Sequence, residues 1–239
     1  MTTATFRAES RTSREGLRSA VAMPIHVHGR LWGMIAVGSG SPRRAALLRA
    51  TGRRLQFVPM RGNVSTRLCK LADGEVDALV LAMAGLSRLG LLDAVATSLD
   101  PSLLMPAPAQ GVLVVECRTD DPVTAAQLRT LDHAPTRAAA ITERSFLAAL
   151  DIGCSAPVGA LAELASEAGT EPAVRVSGLI AAPDGSSVIR AQTTGAVGDG
   201  DALGRRLAHM LFKHGGAELL DRTSYGVTDP GRSASPGRR

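Results

Sequence analysis

The sequence predicts an α/β unit followed by a smaller α+β unit, and three observations support this fold class. Between residues 37 and 119, short apolar strand patterns alternate with helix patterns, which is typical of a mainly parallel sheet. Between residues 121 and 221, two helix patterns precede three strand patterns linked by turns. Hydrophobic residues make up 45% of the 239-residue chain, so both units have enough apolar side chains for a core.

The elements of the first unit are predicted from local signals. Ser41 is a suitable N-cap, Pro42 suits the first helical position, and Gly52 can end the helix. A Gly-Asn turn precedes a second helix whose apolar residues recur at i, i+4 and i+7. The predicted elements are strands over 20–27 and 31–39, a helix over 41–52, a strand over 55–59, a helix over 61–74, a strand over 76–85, a helix over 86–93 and a buried strand over 111–119.

The second unit is predicted in the same way. Prolines at 122 and 135 suit helix starts, and the run Pro183-Asp184-Gly185 predicts a turn between two strands. The predicted elements are helices over 121–133 and 135–150, a loop over 151–157, strands over 158–166, 172–182 and 187–195, a helix over 200–216, and a disordered tail over 222–239.

Composition excludes several classes of function. Aromatic residues make up only 3% of the chain, which counts against a single-stranded nucleic-acid platform that stacks bases. No apolar run is long enough to span a membrane, and no signal-peptide pattern opens the chain, so we expect a soluble cytoplasmic protein. The net charge is +5, and lysine occurs only at Lys70 and Lys213, so the cationic surface is almost all arginine.

The three cysteines are predicted to differ in role. Their odd number and the lack of a CxxC spacing argue against a disulfide framework and a zinc site. Cys69 and Cys117 lie inside a predicted helix and a predicted strand, which indicates small core residues. Cys154 follows Gly153 in a predicted loop, where a thiol is accessible for covalent chemistry; an ordinary loop cysteine is the alternative.

Arginines follow the ends of consecutive predicted strands, at Arg43, Arg44, Arg61 and Arg67, and Arg88 follows the third strand. Ligand crevices in open α/β sheets form at the carboxyl ends of the strands, and arginine binds carboxylate or phosphate through a bidentate fork. Because the helix dipole disfavours cations in a first turn, the pattern predicts a pocket for a ligand with several carboxylates or phosphates. A solvated basic face is the alternative.

A dinucleotide site is disfavoured by the same stretch. Gly38 and Gly40 open a helix as in the motif G-x-G-x-x-G, but Arg43 holds the last position and no acidic residue ends the next strand. The pattern indicates only a general anion cradle of helix N–H groups, with the hydroxyl of Ser41 beside it. The five histidines form no readable metal or triad arrangement, and Glu116, Asp121 and Glu143 are expected to be helix caps or surface carboxylates.

Four stretches together resemble motifs of one enzyme family, the porphobilinogen deaminases, also called hydroxymethylbilane synthases. The resemblance covers residues 37–221. The stretches are VGSGSPRRAALL, PMRGNVSTRLCKLADGEVDALVLAMAGLSRLGL, PAPAQGVLVVECRTDDP and TERSFLAALDIGCSAPVGALAEL.

The resemblance implies a fold and an activity. It implies part of a domain of the periplasmic-binding-protein type II architecture over 37–119, with the strand that returns to domain 1, and a small α+β domain over 121–221. The family joins four porphobilinogen units into hydroxymethylbilane, with release of ammonia, in tetrapyrrole biosynthesis. Porphobilinogen is then the expected partner, with no nucleic acid or membrane, and the chain is expected to be a monomer.

The resemblance also implies a cofactor and its ligands. The family extends a covalent dipyrromethane cofactor held by a thioether to one cysteine, and DIGCSAP matches the attachment motif, so Cys154 would carry it. No catalytic residue is assigned. The carboxylates of the cofactor and of the growing chain would be bound by Ser41, Arg43, Arg44, Arg61, Arg67 and Arg88.

The first 36 residues depart from the family pattern. The family's early GTRGSPLA-type turn and its H-S-x-K-D-x-P segment, whose Asp is the central acid–base group, have no counterpart in this sequence. Residues 16–39 instead resemble the closing strands of a GAF sensor domain. Three hypotheses therefore stay open: a deaminase that lacks most of domain 1, a catalytically inactive polyanion-binding remnant, and a chimeric reading frame that folds poorly.

Overall fold

The computed structural model describes residues 20–21, 26–27, 30–31, 35–38, 41–53, 55–152, 156–165 and 171–224. The strands are β1 Ala20–Val21, β2 His26–Val27, β3 Arg30–Leu31, β4 Ile35–Gly38, β5 Leu55–Val58, β6 Ala78–Leu79, β7 Leu81–Ala82, β8 Val158–Ala165, β9 Ala173–Ala181 and β10 Val188–Ala196. The helices are α1 Pro42–Arg49, α2 Val64–Ala72, α3 Met83–Arg88, α4 Pro122–Leu128, α5 Ala134–Leu150, α6 Gly200–Lys213 and α7 Gly216–Ser224.

The first unit contains the parallel sheet that the sequence predicts. Strand β4 lies between β5 and β6 and pairs with both in parallel. Helix α1 follows β4 and helix α2 follows β5, so both helices begin at the edge of the sheet where the parallel strands end. The two strands predicted over 20–39 are four shorter ones: β2 and β3 form an antiparallel pair, and β1 pairs with β7.

The predicted starts of α1, α2 and α4 are confirmed, and in each of them the side chain of the capping residue accepts a hydrogen bond from an N–H group of the first turn. Ser41 caps α1 by accepting a hydrogen bond from the Arg44 N–H at 3.5 Å, with Pro42 in the first turn. Asn63 caps α2 through the Thr66 N–H at 2.8 Å. Asp121 caps α4 in the same way, as the sequence indicates for this carboxylate.

The prediction of a buried strand over 111–119 is wrong. This segment forms no strand with any described residue, and Leu113, Val114 and Val115 are 76%, 67% and 59% exposed. An apolar run becomes a buried strand only where neighbouring strands satisfy its N–H and C=O groups, and the described part of the chain places none there. Cys117 in this segment and Cys69 on α2 are exposed, so their assignment to the core is also wrong.

Smaller differences concern element boundaries. The strand predicted over 76–85 is divided into β6 and β7, and the helix that follows begins at Met83 instead of residue 86. The helix predicted over 121–133 ends at Leu128 and continues as a 3-10 turn. Helix α7 reaches Ser224, three residues into the tail predicted to be disordered; residues 225–239 lie outside the described residues.

The second unit is a three-stranded antiparallel sheet in the order β10-β9-β8, as predicted. Helices α5 and α6 cover one face, where Phe146, Val176 and Leu207 are fully buried. No helix in the described part of the chain is both long and apolar enough to cross a membrane.

The opposite face of this sheet packs against α1 of the first unit. Ala46, Leu47 and Leu48 on α1 share one apolar cluster with Leu179 and Ala181 on β9. At the end of α1, the Arg49 guanidinium donates a hydrogen bond to the Pro183 carbonyl at 3.1 Å. The two units therefore share a core, and the second unit holds α1, with the arginines of its first turn, in place.

Candidate functional site

A cavity of about 420 Å³ lies where the first turn of α1 faces the second unit. Its polar wall includes Ser41, Arg43, Arg44 and Arg67, and its apolar wall includes Leu147 from α5. No acidic side chain belongs to the described wall of this cavity. Four of the residues predicted to bind carboxylates are therefore brought together, in a space with only cationic and neutral side chains.

Arg43 is the most buried of the arginines. Its side chain is 5% exposed, donates to the Met105 carbonyl oxygen, and donates through Nη2 to the Gln110 Oε1 at 3.2 Å. Burial, followed by the nearby Arg44 cation, lowers the pKa of the Arg43 guanidinium to about 10. The fold thus keeps a cation where water is scarce, with neutral oxygens as its partners.

Arg44 has unused hydrogen-bonding capacity in the same place. Its Nη1 donates to the Val80 carbonyl at 3.3 Å, but its buried Nε has no hydrogen-bond partner among the described residues. Burial, followed by the Arg67 cation, lowers the pKa of Arg44. A buried donor without a partner is costly, and an anionic oxygen is the partner that a guanidinium prefers.

Arg67 approaches from the first turn of α2. Its Nε donates to the Gly62 carbonyl at 2.8 Å, at a turn where Gly62 has φ +117° and a side chain would touch Thr66. Arg67 lines the cavity together with Arg43 and Arg44. Three cations from two strand ends therefore meet, as the position of the strand ends predicts.

Two of the predicted ligand arginines are not brought into this cavity. Arg61 and Arg88 are exposed and do not line it, because Arg61 precedes the turn that begins α2 and Arg88 ends α3 on the solvent side. Cys154 lies outside the described residues. The described chain resumes at Ala156, and both Ala156 and Val158 line the cavity.

Sequence reasoning missed two residues that support the site. Gln110, which holds Arg43, also lines the cavity; it belongs to the stretch PAPAQGVLVVECRTDDP, where no ligand-binding residue was predicted. Glu143 is 5% exposed, so its assignment as a cap or surface carboxylate is wrong. A signal was present, because Glu143 lies four residues after Ala139 and three before Phe146, on the apolar stripe of α5.

The donors present fit a ligand that carries several carboxylates. Each pyrrole of a dipyrromethane bears an acetate and a propionate, and three guanidinium groups with an unpaired buried Nε complement such groups. None of the ion pairs among the described residues involves Arg43, Arg44 or Arg67. No acidic side chain among the described residues lines this cavity with them, and a carboxylate ligand can supply the opposite charge.

The depressed pKa of Arg43 predicts how stability changes with pH. The folded chain releases the Arg43 proton near pH 10, a lower pH than arginine in the unfolded chain requires. Above pH 10 the unfolded state therefore binds more protons than the folded state. The free energy of unfolding then rises with pH. Relative to an Arg43→Gln variant, the wild-type free energy of unfolding is expected to increase by about 1 kcal/mol between roughly pH 10 and pH 11.

This increase can be measured by urea unfolding followed by circular dichroism. Below about pH 9, the difference in free energy of unfolding between wild type and variant should not depend on pH. At these pH values Arg43 is protonated in both the folded and the unfolded chain. A difference that stays constant through alkaline pH would contradict a desolvated Arg43. An Arg88→Gln variant, at an exposed position, is the control and should follow the wild type at every pH.

Comparisons with known proteins agree in pointing to one family. Residues 7–126 match the family model "Porphobilinogen deaminase, dipyromethane cofactor binding domain", and residues 138–213 match "Porphobilinogen deaminase, C-terminal domain". The first match begins upstream of residue 37, where the motifs quoted above begin. The sequence-based resemblance is thus supported over both units.

Curated relatives carry the same name. The porphobilinogen deaminase of Mycobacterium tuberculosis strain H37Rv is 50% identical over 188 residues, covering 77% of this chain and 61% of the relative. That of Nocardia farcinica is 44% identical over 229 residues, covering 94% and 66%, and that of Mycobacterium marinum is 50% identical over 188 residues, covering 77% and 60%. The chain spans about three fifths of the length of the mycobacterial relatives it matches.

Proposed function

Because the chain belongs to the porphobilinogen deaminase family, we propose that it is a hydroxymethylbilane synthase-type transferase. It would join four porphobilinogen units into hydroxymethylbilane, with release of ammonia, in tetrapyrrole biosynthesis. One observation carries this proposal: Arg43, Arg44 and Arg67 converge on a cavity without acidic side chains. A polypyrrole carries carboxylates on every ring, and such a ligand would offset the free-energy cost of burying these cations.

The proposed cofactor is dipyrromethane, attached through Cys154. Ser41, Arg43, Arg44 and Arg67 would bind its acetate and propionate groups, since all four line the cavity. Ala156, two residues after Cys154, lines the same cavity, which supports attachment at its rim. When bound, the cofactor supplies the pyrrole carbon to which the next unit is joined.

Apart from Cys154, the side chains of this site bind and orient the polypyrrole. Arg43 is fixed by the Met105 carbonyl and by Gln110, so it offers a carboxylate a preorganised donor. Arg44 offers its unpaired Nε. We propose that the exposed Arg61 and Arg88 bind carboxylates of units that extend beyond the cavity as the chain grows.

The finer fold assignments are part of the proposal. We propose a partial periplasmic-binding-protein type II-like domain over 37–119 and a cofactor-carrying α+β domain over 121–221, in a cytoplasmic monomer. Residues 1–36 are proposed to be a GAF-like segment on the resemblance of residues 16–39. The family match that begins at residue 7 supports the alternative that they are a divergent part of the deaminase.

A second function is binding without turnover. The sequence contains no H-S-x-K-D-x-P segment, the segment whose Asp serves as acid–base group in the family that this chain resembles. A chain of this kind would load the cofactor at Cys154 and release no product. The carboxylate cavity serves both functions, so a measurement of turnover distinguishes them.

The deciding experiment is intact-protein mass spectrometry after incubation with porphobilinogen. The wild-type chain is expected to gain the mass of two linked pyrroles on Cys154, as located by peptide mapping, and to release hydroxymethylbilane continuously. Mass gain without product supports the binding function. A Cys154→Ser variant should gain nothing, whereas a Cys69→Ser variant, at an exposed cysteine away from the cavity, should load like the wild type. No mass gain by folded wild-type protein would contradict both functions.

A further inference from the structure

A buried carboxylate on α5 joins the two units close to Gln110, which lines the cavity. Glu143 accepts a hydrogen bond from the Ala162 N–H on β8 at 2.7 Å and one from the Ala109 N–H at 2.5 Å. Ala109 belongs to the segment 105–110 of the first unit, which is called the connecting loop below. It adopts φ +57°, a left-handed conformation that a residue with a Cβ rarely takes. A charge-assisted hydrogen bond of this kind is stronger than a neutral one, so it favours this conformation.

The loop that Glu143 holds is the loop that holds Arg43. The Met105 carbonyl accepts from the Arg43 guanidinium, and the Gln110 Oε1 accepts from Arg43 Nη2 and from the Ala107 N–H, both at 3.2 Å. Ala109 is adjacent to Gln110 in the chain. Any change in the backbone at Ala109 therefore moves the Gln110 side chain and one of the two oxygens that fix the guanidinium.

The same loop is also anchored to the second unit at its start. The Pro106 carbonyl accepts from the Ala160 N–H on β8 at 3.1 Å, and a side chain at Gly159 would lie 3.0 Å from this carbonyl oxygen. The loop is thus pinned at Pro106 by a backbone bond and at Ala109 by a side chain. Of these two anchors, only Glu143 can be altered without changing the backbone of the sheet.

We propose that Glu143 is a positioning residue for the arginine cavity: by accepting from Ala109, it holds the segment 105–110 in the conformation that fixes the Arg43 guanidinium. The C-terminal unit thereby sets the position of a ligand-binding arginine in the first unit. The effect of Glu143 on catalysis rests on the proposed function, whereas its effect on the position of Arg43 does not depend on which ligand binds.

The test measures the reactivity of individual arginines toward phenylglyoxal, by peptide mass spectrometry of the full chain. In a Glu143→Gln variant one of the two N–H groups loses its acceptor, because an amide offers one oxygen and a donor. Arg43 should then react about tenfold faster than in the wild type, as expected for the loss of a charged hydrogen bond that holds its loop. Arg61 and Arg88, which are exposed, should react at the wild-type rate.

Matched variants separate positioning from general loss of stability. Glu163→Gln, at an exposed glutamate on β8, and Ala109→Gly, which keeps the N–H and suits a positive φ, should leave Arg43 at the wild-type rate. Gln110→Ala should raise the Arg43 rate, and combining it with Glu143→Gln should add little, because both act through the same contact. If Glu143→Gln does not fold, Glu143→Asp keeps the charge with a shorter reach and should give an intermediate rate.

Two results would overturn the proposal. One is an unchanged Arg43 rate in folded Glu143→Gln or Glu143→Asp protein. The other is an equal rise at Arg43, Arg44 and Arg67, which indicates general loosening. The outcome is independent of cofactor loading: a wild type that fails to load porphobilinogen contradicts the proposed function, whereas the arginine rates still decide the role of Glu143.

Discussion

Replacing Arg44 by glutamine is expected to slow cofactor loading from porphobilinogen about a hundredfold, the scale on which removing one partner of a buried charge pair weakens binding. The Arg44 guanidinium lies in the cavity wall, and its buried Nε has no hydrogen-bond partner among the described residues. A carboxylate would complete that donor set, and glutamine offers neither the charge nor the fork.

A graded series tests the geometry as well as the charge. Arg44→Lys keeps the charge but loses the planar fork, so its loading rate should lie between those of the wild type and Arg44→Gln. Arg129→Gln is the matched control, because Arg129 is exposed, lies outside the cavity and has no proposed role in ligand binding. Loading is measured as the rate of mass gain at Cys154, with thermal unfolding to establish that each variant is folded. Wild-type loading by Arg44→Gln would contradict carboxylate binding in this cavity.

Replacing Gly204 by alanine is expected to lower the free energy of unfolding by about 3 kcal/mol, the upper range for inserting a methyl group into a closely packed contact. Gly204 lies on α6 where it crosses α5. A Cβ at this position would lie 2.5 Å from the Phe146 backbone nitrogen and 2.7 Å from the Ser145 Cβ. Since backbone atoms cannot rotate away, the two helices would have to separate, and Phe146 and Leu207 beneath them would lose packing.

Gly198→Ala is the matched control for this substitution. Its added Cβ would meet nothing within 4 Å, so the free energy of unfolding should change by less than about 1 kcal/mol. Urea unfolding followed by circular dichroism measures both variants. Equal stability of the two would show that α5 and α6 do not approach as closely as the structure places them.

Local signals in the sequence predicted the elements that position the site. Ser41 with Pro42 predicted the start of α1, and that helix start carries Arg43 and Arg44 into the cavity. These signals succeed because a cap and the residues it holds are within one turn of each other. The segment 111–119 shows where they fail: its apolar residues predict a strand, but a strand depends on partners from elsewhere in the chain.

The fate of single side chains depended on contacts between distant residues. Arg67 lines the cavity and Arg61 does not, although both lie near the start of α2. Glu143 is buried because the connecting loop and β8 both direct N–H groups at it, and no pattern within α5 specifies those partners.

The sequence by itself determined the family, the alternation of strands and helices, and an arginine-rich helix start at the end of a strand, because periodicity, capping and motif order are properties of neighbouring residues. Only the tertiary structure decided which arginines converge, that Cys69, Cys117 and the segment 111–119 are exposed, and that a carboxylate of the second unit supports an arginine of the first. The physical reason is that burial and the pairing of buried charges depend on residues far apart in the chain, which meet only when the two units pack together.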